Sequence, residues 1–359
     1  MKKFLSRFLS LSLCFTILLM TFAGCGKKTQ NTSSKVSKET SNTTSEKTSD
    51  DTSNNSPVDV TLNEVAHSIF YTPMYVAIEQ GYFEEENINL DLVTGFGADK
   101  TMTAVLSGEA DIGFMGPETT VYTYNEGSTD YVVNFAQLTQ RAGNFLVARE
   151  EMPDFSWSDL CGHEVLGGRK GGMPQMVFEY ILKQNSIKPS TDLSIDQSID
   201  FGSTAAAFSS GKGDFSVEFE PGATALETKG DGYVVASLGI DSGYVPYTAF
   251  SAKSSYLEEH PDIIQKFTNA LQKGMDYTLK HSPEEIATVI SPQFKETDME
   301  TLTAIVTRYH EQDTWKENLI FEESSFELLL DILSESGELS DRPAYQDLVN
   351  TSFAEKAIK

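Results

Sequence analysis

The sequence predicts an α/β protein of two similar lobes around a central cleft, linked by two hinge strands. Three observations lead to this prediction: strand-like and helix-like segments alternate, a set of short patterns recurs about one lobe later, and two further strand-like segments separate the two sets. Alternating strands and helices favour parallel pairing within an α/β sheet. The body from residue 58 to residue 359 is long enough for two domains of ordinary size.

Helix and strand signals are clear in the first third of this body. Proline opens and glycine closes the helical segments, while apolar and β-branched residues cluster in the strands. The expected strands are 58–65, 88–93, 111–115 and 131–138, and the expected helices are 73–85, 98–106 and 117–127. Further helices are expected over 261–280, 283–290, 298–315 and 324–335.

An internal repeat is the most informative feature of the body. The segment AVLSGEADIGF at 104–114 is echoed by AFSSGKGDFSV at 207–217, so Ser-Gly and Asp recur at an offset of 103 residues. Further pairs follow in the same order, namely Pro73 with Pro174, Phe96 with Phe201, and Pro117 with Pro221. One such pair means little, but five in order predict two lobes of one architecture, with a period longer than that of solenoid repeats.

Two strand-like segments connect the predicted lobes. Residues 144–149 lead out of the first lobe, and residues 244–252 lead back into it. The predicted first lobe is therefore discontinuous, with residues 58–147 and 248–359, and the predicted second lobe is 148–247. Two crossings permit hinge motion, and hinged lobes close around ligands.

The N-terminus has the pattern of a lipoprotein signal peptide. Three cations within the first seven residues precede an apolar run, which ends in Phe-Ala-Gly-Cys at 22–25. This order is typical of a secretory signal, and the apolar run is too short to span a membrane. Because Phe-Ala-Gly-Cys resembles the bacterial lipobox, we expect residues 1–24 to be removed and Cys25 to carry a lipid such as palmitate. An ordinary cleaved signal with an incidental cysteine is the alternative.

Composition and charge narrow the choice of partners. Residues 26–57 are almost wholly polar, without an aromatic residue, which predicts a disordered tether. The net charge of −26 disfavours nucleic acid and anionic lipid, since both need a basic surface. The membrane is therefore expected to be a partner through the lipid anchor only. Because Cys14 is expected to leave with the signal peptide and Cys25 to carry a lipid, Cys161 is left without a disulfide partner. We expect Cys161 to fill a small space in the core.

Two segments carry a family resemblance. YTPMYVAIEQGYFEEENI at 71–88 and LSGEADIGF at 106–114 resemble the solute-binding proteins of nitrate, sulfonate and taurine importers. That family also contains binding proteins for thiamine pyrimidine precursors and related synthases. The resemblance implies the type II periplasmic-binding-protein fold, and a monomer that delivers a small polar solute to an ABC permease and its ATPase. The resemblance does not fix the solute, and we expect a sulfonate-like or taurine-like compound, a zwitterion or an aminopyrimidine. A zwitterion or an aminopyrimidine fits better than nitrate or sulfate if Arg169 and Glu218 both face the ligand.

Candidate ligand-binding residues lie in loops beyond the carboxyl ends of the strands, where open α/β sheets bind ligands. In the Gly-rich loop 167–174, Arg169 suits a carboxylate, sulfonate or phosphate, although a plain surface turn has the same composition. Glu218 and Glu220, with Glu118 across the repeat, suit an amine, amidine or protonated heterocycle; alternatively, one glutamate caps the following helix and the other is solvated. The candidates are His67, Phe70, Tyr71, Gly97, Glu118, Thr119, Arg169, Gly171, Gly172, Met173, Glu218, Glu220 and Tyr247.

The residue patterns disfavour an enzyme. The five histidines, at 67, 163, 260, 281 and 310, lack metal-ligand spacing, and the chain has no cysteine cluster, nucleophile elbow or phosphate loop. We therefore expect no catalytic residue, cofactor or metal. A lipoprotein that serves a surface sensor instead of a permease stays open as an alternative, because it has the same sequence features.

Overall fold

A computed structural model describes residues 56–168, 170–199 and 202–359. The expected signal peptide, Cys25, nearly all of the tether, Arg169 and Phe201 lie outside the described residues. In the described part of the chain, no helix is both long enough and apolar enough to cross a membrane.

Ten strands run through the described residues. They are β1 (Val58–Glu64), β2 (Ile88–Thr94), β3 (Ile112–Met115), β4 (Val132–Thr139), β5 (Asn144–Ala148), β6 (Glu164–Leu166), β7 (Ser194–Asp196), β8 (Phe215–Phe219), β9 (Tyr233–Ser237) and β10 (Thr248–Lys253).

Helices connect and cover these strands. Up to β10 they are α1 (Thr72–Glu79), α2 (Tyr82–Glu85), α3 (Ala98–Ser107), α4 (Glu118–Asn125), α5 (Met173–Gln184), α6 (Thr204–Ser209), α7 (Gly222–Lys229) and α8 (Leu238–Asp241). After β10 they are α9 (Ser254–Glu259), α10 (Pro261–Lys280), α11 (Pro283–Ile290), α12 (Met299–Glu311), α13 (Glu323–Ser336), α14 (Tyr345–Leu348) and α15 (Ser352–Ala357). Short 3₁₀ helices span Ile69–Tyr71 and Trp157–Leu160.

The strands form two five-stranded sheets with one plan. The first sheet has the order β2-β1-β3-β10-β4, and the second has the order β7-β6-β8-β5-β9. Three strands of each sheet pair in parallel, whereas β10 and β5 are antiparallel to both of their neighbours. The expectation of parallel pairing therefore holds for three strands of each sheet and is wrong for the other two. The antiparallel strand is in each case the one that arrives from the other sheet.

We call residues 58–139 together with β10 the first half, and residues 144–237 the second half. The backbone register repeats between them. The Asp111 carboxylate accepts a hydrogen bond from the Thr61 N–H at 2.9 Å, and the Asp214 carboxylate accepts one from the Glu164 N–H at 3.0 Å. Both counterparts lie 103 residues apart, and the pairings of β1 with β3 and of β6 with β8 follow the same offset. The repeat found in the sequence is thus confirmed as a repeat of structure.

Two helix boundaries depend on single residues. The helix expected over 73–85 is instead α1 and α2, because Gly81 lies between them with a left-handed φ of 73°, which favours glycine. The expected start at Pro261 is confirmed, since His260 has non-helical backbone angles and Pro261 opens α10. Proline is suited to this position because its missing N–H has no partner in a first turn.

The C-terminal helices contact both halves. α10 packs along α1, and Gly274 permits this approach because a Cβ there would lie 2.3 Å from the Pro73 carbonyl oxygen. A side chain at position 274 would therefore force these two close-packed helices apart. α13 packs against α5, the helix between β6 and β7. The two halves are therefore bridged by helices as well as by the two chain crossings.

Cys161 follows the second 3₁₀ helix and is a free thiol at the surface. The expectation that it fills the core is wrong. Trp157 and Leu160 of that helix are buried instead, so the apolar face of the turn ends one residue before the cysteine.

Candidate functional site

A cavity of about 470 Å³ lies where loops of both halves meet. Its wall from the first half comes from the loops after β1, β2 and β3 and from the faces of α3 and α4. Its wall from the second half is the segment 170–174, after β6, and Phe219, at the end of β8. The carboxyl ends of the parallel strands thus supply the lining, as expected for an open α/β sheet. The volume is that of a small-molecule site.

Aromatic side chains form much of the wall. Tyr71, Tyr122, Phe219 and Tyr247 all line the cavity. The Tyr71 ring is held edge-on to Phe114 with 4.6 Å between ring centroids. Burial raises the pKa of the Tyr247 hydroxyl well above its usual value, so this phenol stays neutral. The cavity therefore offers flat, largely apolar surfaces with hydroxyl groups at their edges.

Glu118 is the buried carboxyl group of the cavity. It opens α4 directly after Gly116-Pro117, and its side chain folds back over Gly116, where a Cβ would lie 2.0 Å from the Glu118 Oε2. Any larger residue at 116 would displace the carboxyl group. Glu118 is 1% exposed, and its Oε2 has no hydrogen-bond partner among the described residues. A buried acceptor without a partner carries a large desolvation cost.

The proton affinity of this group follows from its surroundings. Burial raises the pKa of Glu118 to about 8, although N–H groups of Glu118 itself and of Met173 lower it in part. Desolvation penalises the charged form, so the carboxyl group is largely protonated at neutral pH. Met173 opens α5, and its N–H interacts with the Glu118 carboxyl group. The N-terminus of α5, at the end of the loop in which Arg169 was expected to bind an anion, therefore already faces a carboxyl group of the first half.

Polar contacts join the two halves around the cavity. The Tyr122 hydroxyl donates to the Gly171 carbonyl oxygen at 3.0 Å. The Ser68 hydroxyl donates to the Glu220 carbonyl oxygen at 3.3 Å. These two contacts hold the halves together. Lys170 is ion-paired with Glu338, which follows α13, at 3.7 Å.

Eight of the thirteen candidate residues line this cavity. They are Tyr71, Gly97, Glu118, Thr119, Gly171, Gly172, Met173 and Tyr247. Arg169 lies outside the described residues. The structure brings these eight together from five segments of the chain, and their role in binding stays a prediction.

His67 lies away from the cavity lining and has a bracing role. Its Nδ1 is 2.9 Å from the Glu64 carboxylate and its Nε2 is 3.0 Å from the Gln293 carbonyl oxygen. Both partners are acceptors, and the hydrogen bond to Glu64 raises the pKa of His67. The imidazole thus fastens the loop after β1 to the segment between α11 and α12.

Phe70, Glu218 and Glu220 also lie away from the cavity lining. Phe70 is a fully buried core residue. Glu218 accepts hydrogen bonds from Ser216 and Thr204, and burial raises its pKa to about 7. Its strand neighbour Phe219 lines the cavity instead, because successive side chains of a strand point to opposite faces.

Glu220 has the helix-capping role that the sequence left open. Its carboxylate accepts from the Thr224 N–H at 2.9 Å, in the first turn of α7, and it pairs with Arg308 of α12. The companion expectation, that the other glutamate is solvated, is wrong for Glu218, which is 3% exposed.

Several lining residues were absent from the sequence-based set. Tyr122 lies one helical turn after Glu118, and this i to i+4 spacing would have pointed to it. Met102 and Leu106 share a face of α3 by the same spacing. No signal in the sequence distinguished Phe219 from Glu218 as the residue that faces the cavity. Among the described residues, no cluster of His, Cys, Asp and Glu is suited to a metal ion.

Solved structures share this fold. The alkanesulfonate-binding protein SsuA from Xanthomonas axonopodis pv. citri, bound to MOPS, covers 83% of this chain and 99% of its own at 14% identity, with a TM-score of 0.67. The nitrate-binding protein NrtA from Synechocystis PCC 6803 covers 84% of this chain and 88% of its own at 13% identity, with a TM-score of 0.70. The fold is thus the type II periplasmic-binding-protein fold, as expected.

Sequence comparisons identify the family to which the chain belongs. The profile of the NMT1/THI5-like family matches residues 69–286, more than half of the chain. YtlA of Bacillus subtilis strain 168, named for a binding role, is 46% identical over 297 residues, which are 83% of this chain and 89% of YtlA. The chain belongs to the NMT1/THI5-like family.

Proposed function

We propose that this protein is an extracytoplasmic solute-binding lipoprotein that delivers a small polar solute to an ABC import permease and its ATPase. The observation that carries the proposal is a cavity of small-molecule size whose walls come from both halves of a periplasmic-binding-protein fold. A trap of this kind captures its solute by closing two parts around it. The alkanesulfonate-binding protein SsuA and the nitrate-binding protein NrtA, which share the fold, support the same role.

Closure requires two lobes with few chain crossings between them. We assign residues 58–147 and 248–359 to one lobe and 148–247 to the other, so the chain crosses near β5 and just before β10. Rotation at these crossings would part Tyr122 from Gly171 and open the cavity to solvent. The contacts between these residues then belong to the closed state.

The N-terminal pattern supports a location of the protein at the outer face of the cell membrane. Removal of residues 1–24 and lipidation of Cys25 would place the body on the outer face of the cell membrane, as a monomer on a tether of residues 26–57. Labelling cells with a radioactive palmitate analogue tests this directly. The label should enter the parent protein and be absent from Cys25→Ser, and equal labelling of both would contradict the anchor.

The solute is expected among three classes: sulfonates or taurine-like compounds, zwitterions and aminopyrimidines. A thermal-shift screen over these classes tests the function, because a ligand that binds only the folded state raises the unfolding temperature. The proposal predicts a rise that saturates with solute concentration. Chemical turnover of a member of the panel, with no rise for any compound, would overturn it in favour of an enzyme.

A further inference from the structure

The described residues of the cavity wall carry both acidic and basic side chains, and one of the acidic side chains is buried. The wall's described ionisable groups include three carboxyl groups and one ammonium group, with tyrosine hydroxyls between them: Asp99, Glu118, Glu126, Lys170, Tyr71, Tyr122 and Tyr247. Lys170 is 71% exposed and paired with Glu338, so it contributes little attraction inside the cavity. Glu118 alone among the three carboxyl groups is fully buried.

One oxygen atom of Glu118 indicates which chemical group a solute should supply. Glu118 Oε2 is buried and lacks a hydrogen-bond donor among the described residues. Buried polar atoms normally have partners, and the Tyr122 and Tyr247 hydroxyls donate to Gly171 and Asn144 instead. A bound solute with an N–H group would satisfy the oxygen once the carboxyl group is ionised, whereas a sulfonate or carboxylate could meet Glu118 only if the carboxyl group kept its proton and donated it.

We propose that the solute is an organic nitrogen base that enters as a cation and donates an N–H group to Glu118 Oε2, while the proton of the carboxyl group leaves to solvent. The step balances, because a neutral carboxylic acid and a cation become an ion pair and one released proton. This inference rests on the proposed function and narrows its solute class. The apolar part of the base lies against Tyr71, Phe219 and Tyr247, whose ring faces also attract a cation.

The raised pKa of Glu118 supports the exchange. The group holds its proton at neutral pH because desolvation disfavours an isolated carboxylate. A cation at hydrogen-bond distance reverses this preference, since an opposite charge stabilises the ionised form. Tyr71, Tyr122 and Tyr247 keep their protons throughout, because burial raises the pKa of each hydroxyl.

Pairs of compounds with matched shape and opposite charge test the proposal. Benzamidine against benzoate and butylamine against butanesulfonate are titrated into the protein by calorimetry at pH 7, in phosphate. The protons released are counted separately from the absorbance change of phenol red in weakly buffered solution, because amine buffers would themselves be cations of the proposed class. We expect the cations to bind more tightly than their anionic counterparts and to release about one proton for each solute bound.

Substitution of Glu118 tests whether its carboxyl group is the source of the released proton. Glu118→Gln should weaken cation binding about tenfold to a hundredfold and abolish proton release, while Glu79→Gln, a half-buried carboxylate on α1, should change neither. If Glu118→Gln does not fold, the parent protein still decides the matter, because its affinity for the cations should rise with pH until the pKa of Glu118 is passed.

Opposite outcomes overturn the proposal. Tighter binding of benzoate or butanesulfonate, no binding by either cation, or cation binding without proton release each excludes it. Binding of the anions with thermal stabilisation would leave the solute-binding function intact and remove only the cationic class. An absence of stabilisation across the whole screen would count against both.

Discussion

The hydroxyl group of Tyr122 donates a hydrogen bond of 3.0 Å to the carbonyl oxygen of Gly171. Tyr122 is on α4 of the first half, and Gly171 is in the loop before α5 of the second half. The bond therefore spans the cavity rim and ties the loop of one half to the helix that carries Glu118.

Tyr122→Phe should weaken solute binding about fivefold, because a neutral hydrogen bond contributes about 1 kcal/mol. The loss should be in the dissociation rate, since the bond forms only when the halves meet. Stopped-flow measurement with a solute found by thermal shift checks this. Tyr124→Phe is the control, because its hydroxyl bonds to Asp347 and lies away from the cavity lining. Equal effects of both variants would count against a closing role.

Glu118 should make the solute-free protein less stable as the pH rises. Its pKa is raised from 4.5 to about 8 in the folded state, so between these values the folded protein holds a proton that the unfolded protein has lost. Unfolding free energy therefore falls with rising pH, by roughly 3 kcal/mol between pH 5 and pH 8. Glu118→Gln removes this dependence, and urea unfolding at both pH values measures the difference from the parent. If the difference in unfolding free energy between the parent and Glu118→Gln is the same at both pH values, the assignment of the raised pKa to Glu118 is refuted.

Arg308→Met should destabilise the fold by about 2 kcal/mol at pH 7. Arg308 of α12 pairs with Glu220, whose side chain is fully buried, and with Glu227. Loss of the guanidinium group leaves a buried carboxylate without its partner. Arg342→Met is the matched control, because Arg342 also meets two carboxylates but at the surface, where ion pairs contribute little. Similar losses in the two variants would contradict the buried pairing.

Asp111→Ala and Asp214→Ala should have matching effects. Each removes the same carboxylate from a backbone N–H at the middle one of the three parallel strands of its sheet, β1 or β6. Each should cost about 1 kcal/mol of unfolding free energy, and the double variant should show the sum, since the sites are in different sheets. A loss of unfolding free energy in only one of the two variants would mean that the repeated hydrogen bond does not stabilise the two sheets equally.

The fold was predictable because its signals are local. Proline and glycine mark the ends of helices, and Ser-Gly followed by Asp marks the same turn in both halves. The antiparallel strands could not be predicted this way, since β5 and β10 look like ordinary strands until their partners are known. The same holds for Gly81, whose left-handed conformation divides a helix that otherwise reads as continuous.

The site was predictable only as a set of loops. Glu118 was found through its place after β3, but its unpaired oxygen depends on Gly116 and on the approach of α5 from the other half. Glu218 was preferred over Phe219, although only the packing of the sheet decides which face of a strand meets a cavity. His67 and Glu220 have chemistry suited to ligands, yet the folded chain itself supplies their partners.

A crystal structure of the protein with the solute that stabilises it most would test the central claim most directly. We predict that the solute occupies the cavity between Tyr71 and Phe219, with a nitrogen atom about 2.7–3.2 Å from Glu118 Oε2. A solute bound elsewhere on the molecule, or an anionic group placed against a still protonated Glu118, would contradict it.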